Sequence, residues 1–193
     1  NLYRTELKDA IAFIEADQNV ADLGYTYEWR NIDNAYVMGA EFSGSMELAE
    51  GFGIGARMEL FEGKYDNPRS DWIGTPYEDI SRNIARFPQI SAGLKTEYSL
   101  GTWKIVADAD YKGKQYIDLT EPADPADVKI FETESFVLLN ARISTTIFER
   151  YLLYVGAKNL TGYTQEVKHI DDAAFMYAPV YGRIVYAGIQ ISL

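Results

Sequence analysis

Arg183-Ile-Val-Tyr-Ala-Gly-Ile-Gln-Ile-Ser-Leu193 closes the chain on a period of two. Arg183, Val185, Ala187, Ile189, Ile191 and Leu193 fall on one side of a strand; Ile184, Tyr186, Gly188, Gln190 and Ser192 fall on the other. Apart from Arg183 the first side is apolar, while the second ends in Gly, Gln and Ser. Such a strand suits a sheet closed in a lipid bilayer, greasy outside and polar inside. It equally suits a half-buried strand of a soluble sandwich, and this stretch alone leaves both open.

The segments upstream repeat the pattern. Trp103, Ile105, Ala107, Ala109 and Tyr111 alternate with Lys104, Val106, Asp108, Asp110 and Lys112. Val137, Leu139, Ala141, Ile143, Thr145 and Ile147 alternate with Leu138, Asn140, Arg142, Ser144 and Thr146. The stretches 36–48, 52–61 and 89–98 behave likewise. Alternation over about ten residues is the length of a tilted membrane strand, against about five or six for a soluble one. Short turns are expected near 49–52, 99–102 and 148–151, and long polar stretches at 16–30, 66–86, 118–134 and 164–182. Hairpins tight at one end and long-looped at the other are the habit of outer-membrane barrels. With further strands at 2–15 and 151–160, the pattern predicts an all-β, antiparallel, up-and-down transmembrane barrel segment of about eight strands.

Composition narrows the classes. With no Cys there is no disulfide framework. No stretch of about 18 apolar residues forms a helical span, and a mean hydropathy of −0.22 suits a barrel whose membrane signal lies in alternation. Tyr3, Phe13, Tyr36, Phe52, Trp103, Tyr111, Phe148 and Tyr151 stand where interfacial aromatic girdles would be. A net charge of −11 argues against nucleic acid as a partner. His169 is the only histidine and has no arranged nucleophile or ligand set. Gly53-Ile-Gly55 precedes no helix, so it is no dinucleotide loop. The chain therefore reads as a non-enzyme, and no cofactor or metal is implied.

Several motifs recur in order: Asn1-Leu-Tyr-Arg-Thr-Glu-Leu-Lys-Asp-Ala-Ile11, Asn31-Ile-Asp-Asn-Ala-Tyr-Val-Met-Gly-Ala-Glu-Phe42, Ile84-Ala-Arg-Phe-Pro-Gln-Ile90, Gly156-Ala-Lys-Asn-Leu160, and Tyr181-Gly-Arg183 with Gly188 and a hydrophobic terminus. Together, in this order, they resemble the C-terminal end of a TonB-dependent outer-membrane receptor. Leu193 stands where the family usually ends in Phe. The resemblance implies a barrel of about 22 strands with a plugged lumen, taking up scarce nutrients of the ferric siderophore, haem, cobalamin or glycan class. Residues 1–193 would be its C-terminal portion, with the plug absent and transport incompetent alone. Implied partners are outer-membrane lipid, the plug and remaining strands of the same receptor, the energy-coupling TonB complex acting through that plug, and the barrel-assembly machinery through Tyr186, Gly188, Ile191 and Leu193.

Specificity in such a protein would live in the loops. The expected substrate contacts are Tyr25, Tyr27 and Trp29 in the first, Arg69, Trp72, Tyr77 and Arg82 in the second, and His169 and Tyr177 in the fourth. Other motif residues have structural readings. Gly39 and Gly188 would admit a neighbouring aromatic ring. Glu41 and Arg183 would join lumen or rim salt bridges, and Asn159 would cap a strand exit through backbone bonds. Two rival classes stay open: a self-contained eight-stranded outer-membrane barrel (an adhesin, anchor or small channel), and a soluble lipocalin-like carrier whose apolar faces point inward.

Overall fold

The computed structural model describes residues 1–15, 18–69, 73–74, 76–120, 128–165 and 177–192. Its strands are β1 (Leu2–Glu15), β2 (Tyr27–Ala49), β3 (Phe52–Tyr65), β4 (Ile90–Leu100), β5 (Trp103–Lys112), β6 (Tyr116–Thr120), β7 (Val128–Glu132), β8 (Phe136–Ile147), β9 (Tyr151–Lys158) and β10 (Ile184–Ile191). One helical turn, α1 (Gln18–Ala21), follows β1. Eight strands form one sheet in the order β1-β2-β3-β4-β5-β8-β9-β10, and β6-β7 form a separate two-stranded sheet. The main sheet is the antiparallel, up-and-down arrangement that the alternation predicts.

Two departures concern loop boundaries. Tyr27, Trp29 and Arg30, expected in a loop, belong to β2, where Tyr27 pairs with Glu15 and Trp29 with Phe13. The expected loop 118–134 carries most of its own hairpin, since Ile117 pairs with Phe131 and Leu119 with Lys129.

The chain divides into two compact units. The first contains residues 1–40, 61–87 and 115–133. Here the β1–β2 ribbon shifts register between Leu7 and Ala10. Asp9 takes a left-handed φ of 53° there, and its N–H donates to Asn34 Oδ1 at 3.1 Å. The segment after β3 folds back on it: Tyr65 N–H donates to the Arg82 carbonyl at 2.8 Å and Ile84 N–H to that of Gly63 at 3.1 Å. Gly63 fits beneath Ile84, whose Cδ1 would lie 3.1 Å from an added Cβ. Phe61 and Phe87 meet edge to face at 5.3 Å. Ala35 and Ile117 are buried, and the β6–β7 stem closes through Thr133 N–H to the Gln115 carbonyl at 2.9 Å.

The second unit, residues 41–60, 88–114 and 134–193, carries most of the main sheet. Its register keeps like with like. Ala56, Leu94, Ala109 and Leu139 run across β3, β4, β5 and β8 in one row. Tyr98, Ile105, Ile143, Val155 and Ala187 form another from β4 to β10. One residue along, Gly93, Asp110 and Leu138 share the opposite face, as do Lys95, Asp108 and Asn140. A one-residue slip would exchange the two faces, so the pattern fixes the register.

All three expected turns are present. Gly51 (φ 73°) and Gly101 (φ 57°) supply left-handed backbone at the first two. The third uses Phe148 (φ 52°) and Glu149 (φ 56°) instead, closed by Arg150 N–H to the Ile147 carbonyl at 3.2 Å. Two successive left-handed residues give the twist a two-residue hairpin needs, although Asn-Gly fits that geometry with less strain.

Candidate functional site

The polar face of the second unit is a wall of paired charges. Alternate residues of each strand reach it, because successive side chains point to opposite faces. Arg57 Nη2 lies 2.6 Å from Asp110 Oδ1. Ser91 Oγ donates to Glu59 Oε2 at 2.5 Å, and Lys104 pairs with Glu97. Asn140 Nδ2 donates to Asp108 Oδ2 at 2.6 Å. Hydrated ion pairs of this kind contribute little to stability each, about 0–1 kcal/mol, but they keep the wall polar and ordered.

Near the chain end the wall carries a reciprocal aromatic joint. Tyr154 stands opposite Gly188, and Tyr186 opposite Gly156. A Cβ added at Gly188 would lie 2.5 Å from Tyr154 Cζ, and one at Gly156 would lie 2.5 Å from Tyr186 Cζ. Each ring thus occupies the room that the opposing glycine leaves, as expected for Gly188. The two ring centres are 6.3 Å apart, and the Arg142 guanidinium sits 4.3 Å over the Tyr154 ring.

At the other end of β9 a buried Asn159 (φ 52°) ties three segments together. Its N–H donates to Asn140 Oδ1 at 2.9 Å. Its Nδ2 donates to the carbonyls of Tyr163 at 2.7 Å and Tyr181 at 3.2 Å. Its Oδ1 accepts from Tyr163 N–H at 3.1 Å and Thr161 Oγ1 at 3.0 Å. This is the expected strand-exit cap, extended into a clamp on both ends of the fourth loop. Gln165, also buried, closes a second clamp: its Oε1 accepts from Tyr177 N–H at 3.2 Å and Ala178 N–H at 3.3 Å. Arg183 differs from expectation. It makes no salt bridge among the described residues; its Nε and Nη2 donate to the Leu160 carbonyl at 3.1 and 2.7 Å. The carbonyl at the strand exit takes the fork that a carboxylate was expected to take.

The expected contact residues divide between the units. In the first, Tyr25 and Trp29 are exposed. Arg69 and Arg82 belong to one folded loop: Arg69 N–H donates to the Ser81 carbonyl at 3.0 Å, and Arg82 Nε donates to that of Tyr65 at 3.1 Å. Tyr77 precedes the 3-10 turn Glu78–Ile80 of the same loop. Tyr177 lies in the second unit on the Gln165 clamp. Trp72 and His169 lie outside the described residues. Gln165 and Arg142 carry no motif that singles them out in the sequence; only cross-strand register brings Arg142 to Tyr154. Among the described residues no cluster of three or more His, Cys, Asp or Glu could hold a metal ion.

Residues 1–160 match the family model described as TonB dependent receptor-like, beta-barrel. No curated protein matches the sequence. Solved structures match across nearly the whole chain. The copper transporter OprC aligns with a TM-score of 0.70 and 17% identity, covering 100% of this chain and 29% of that one. The ferric-catecholate import receptor Fiu from Escherichia coli K12 aligns with a TM-score of 0.67 and 16% identity, covering 98% and 24%. The pyoverdine outer membrane receptor FpvA from Pseudomonas aeruginosa PAO1, bound to pyoverdine, gives 0.70 and 16%, covering 100% and 26%. The likeness is one of fold, and the chain spans about a quarter of the length of these structures.

Proposed function

Because this chain belongs to the TonB-dependent receptor-like β-barrel family, we propose that it forms the C-terminal wall and ligand-facing loops of an outer-membrane receptor for a scarce nutrient. The observation that carries this reading is the asymmetry of the sheet. Leu94, Trp103, Ile105, Val155 and Ile189 are all exposed on one face, while the opposite face holds the ion pairs. In water an open row of large apolar side chains would be a liability; against lipid tails it is the requirement. From Val137 to Ile147 the apolar row of β8 climbs about 33 Å along the strand, or about 25 Å at a tilt of ~40°, the height of a barrel's apolar band.

In this arrangement the paired wall faces the lumen, the tight turns face the periplasm and the loops face outward. Tyr25, Tyr27, Trp29, Arg69, Trp72, Tyr77, Arg82, His169 and Tyr177 are the residues for ligand contact. Aromatic and arginine side chains suit a flat, charged metal chelate, and the relatives named for copper, ferric catecholate and pyoverdine support that class over the wider set of haem, cobalamin or glycans. Energised import then requires the plug domain and the TonB complex that pulls on it, so residues 1–193 alone do not transport.

Fractionated cells blotted with an antibody to residues 164–182 test this. A band several times larger than 21.8 kDa in the outer membrane is expected. A band near that mass in the outer membrane would replace the receptor with a complete small barrel. The same band in a soluble fraction would favour the carrier.

A further inference from the structure

Within the first unit, one face of the β1–β2 ribbon changes character over four residues. Leu2 pairs with Ala40, Arg4 with Met38 and Glu6 with Tyr36, and side chains of directly opposed residues share a face. Leu2 and Met38 are exposed, so the face begins apolar. Toward the first loop it becomes charged. Arg4 Nε lies 2.6 Å from Glu6 Oε1, and the Arg4 guanidinium sits 4.4 Å over the Tyr36 ring. Tyr36 Oη donates to Glu62 Oε2 at 3.4 Å, and Lys64 Nζ lies 2.7 Å from Glu62 Oε1. Two cations and two acids thus form one connected line across β1, β2 and β3. All four side chains keep more than a third of their surface open.

Apolar residues, then a tyrosine, then charges is the order met on leaving the acyl region of a bilayer. From Leu2 to Glu6 the strand rises about 13 Å, or about 10 Å at the usual tilt, enough to pass from acyl chains into the headgroup layer. The line is neutral in sum, so it gives a bare anion no net attraction. It fits an ionic lattice instead. The Arg4 Nη groups donate to no described residue, and a stacked guanidinium holds that planar edge ready for phosphate oxygens. Lys64 adds a point charge. Glu6 and Glu62 supply two carboxylates, short of a full metal site by themselves. Magnesium is commonly held by one or two carboxylates together with phosphate oxygens.

We propose that this face binds the phosphorylated headgroup of an outer-leaflet lipid through a bridging divalent cation. Arg4 and Lys64 take the phosphate, Glu6 and Glu62 take the cation, and Tyr36 holds the Arg4 guanidinium flat. The proposal rests on reading the chain as a receptor wall.

The full-length receptor, extracted from its own membrane in mild detergent with magnesium, is weighed intact by native mass spectrometry. It is expected to retain an acylated, phosphorylated species, and a chelator should lower the occupancy about tenfold. Arg4→Gln with Lys64→Gln and, separately, Glu6→Gln with Glu62→Gln should each lower it as much, the scale of losing a charged hydrogen bond. Glu149→Gln, in the third tight turn, should leave it unchanged. Equal occupancy in the wild type and both double variants, including none, overturns the proposal. So does a rise in the acid variant, which would mean phosphate attracted without a cation, or a phosphate adduct carrying no acyl chain. A nitroxide at Leu2 separates the two readings. An aqueous Leu2 sinks the receptor wall, and a lipid-exposed Leu2 with equal occupancies overturns this proposal alone.

Discussion

The two faces of the second unit's sheet are built from alternate residues of the same strands, yet they solve opposite problems. On one face Leu94, Ile105, Leu139, Val155 and Ile189 are exposed. On the other, Arg57, Glu59, Lys104 and Asn140 all have polar partners. A water-soluble protein buries its first set and leaves its second to solvent. In the proposed barrel the difference corresponds to two-sided surroundings, lipid against one face and water against the other. It also predicts that the faces respond differently to the same kind of change.

The largest effect is expected from a charge in the apolar row. Leu94, in the middle of its row between Ala56 and Ala109, replaced by arginine should destabilise the receptor in lipid vesicles by about 2–4 kcal/mol, read by urea unfolding. Arginine at Val106 on the polar face should cost far less. Equal losses at both positions would erase the distinction between the faces.

The aromatic joint comes next. Gly188→Ala should cost about 1–3 kcal/mol, because Tyr154 must leave its seat. Adding Tyr154→Ala should recover much of that loss, and a double-mutant cycle showing no coupling would break the reciprocal packing. Asn159→Ala leaves buried backbone groups at the base of the fourth loop unpaired, at about 1–3 kcal/mol. Hydrogen exchange at Tyr163 should speed up while the strand cores keep their protection; uniform loosening would mean that the clamp is not local. The smallest effect is expected at Asp110→Asn. It removes a partly exposed ion pair with Arg57, should cost no more than about 1 kcal/mol, and should lose even that in high salt.

These contrasts match what the sequence made legible. Period-two alternation displayed both faces and all three turns, because in a sheet with one apolar and one polar face every residue answers to the rule of its side. Where a side chain answers to no such rule, the reading failed. The bulge at Asp9 interrupts the alternation of β1, and with it the sign that Tyr27 and Trp29 still pair in β2. The β6–β7 hairpin mixes Asp118 and Lys129 into strands that lie outside the main sheet, so its composition reads as loop. Asn159 was legible as a cap because a polar residue after a long strand has few other uses. Its links to Tyr163 and Tyr181, like the stack of Arg142 on Tyr154, depend on register across strands, which no local pattern encodes.

The most direct test of the two-faced sheet is a nitroxide scan along β8 in the membrane-embedded receptor, one label per residue from Val137 to Ile147. The account predicts oxygen accessibility with a period of two, high at Leu139, Ala141 and Ile143, and the reverse for a water-soluble nickel chelate. Accessibility to the chelate at Leu139 and Ile143, or no period at all, would contradict it.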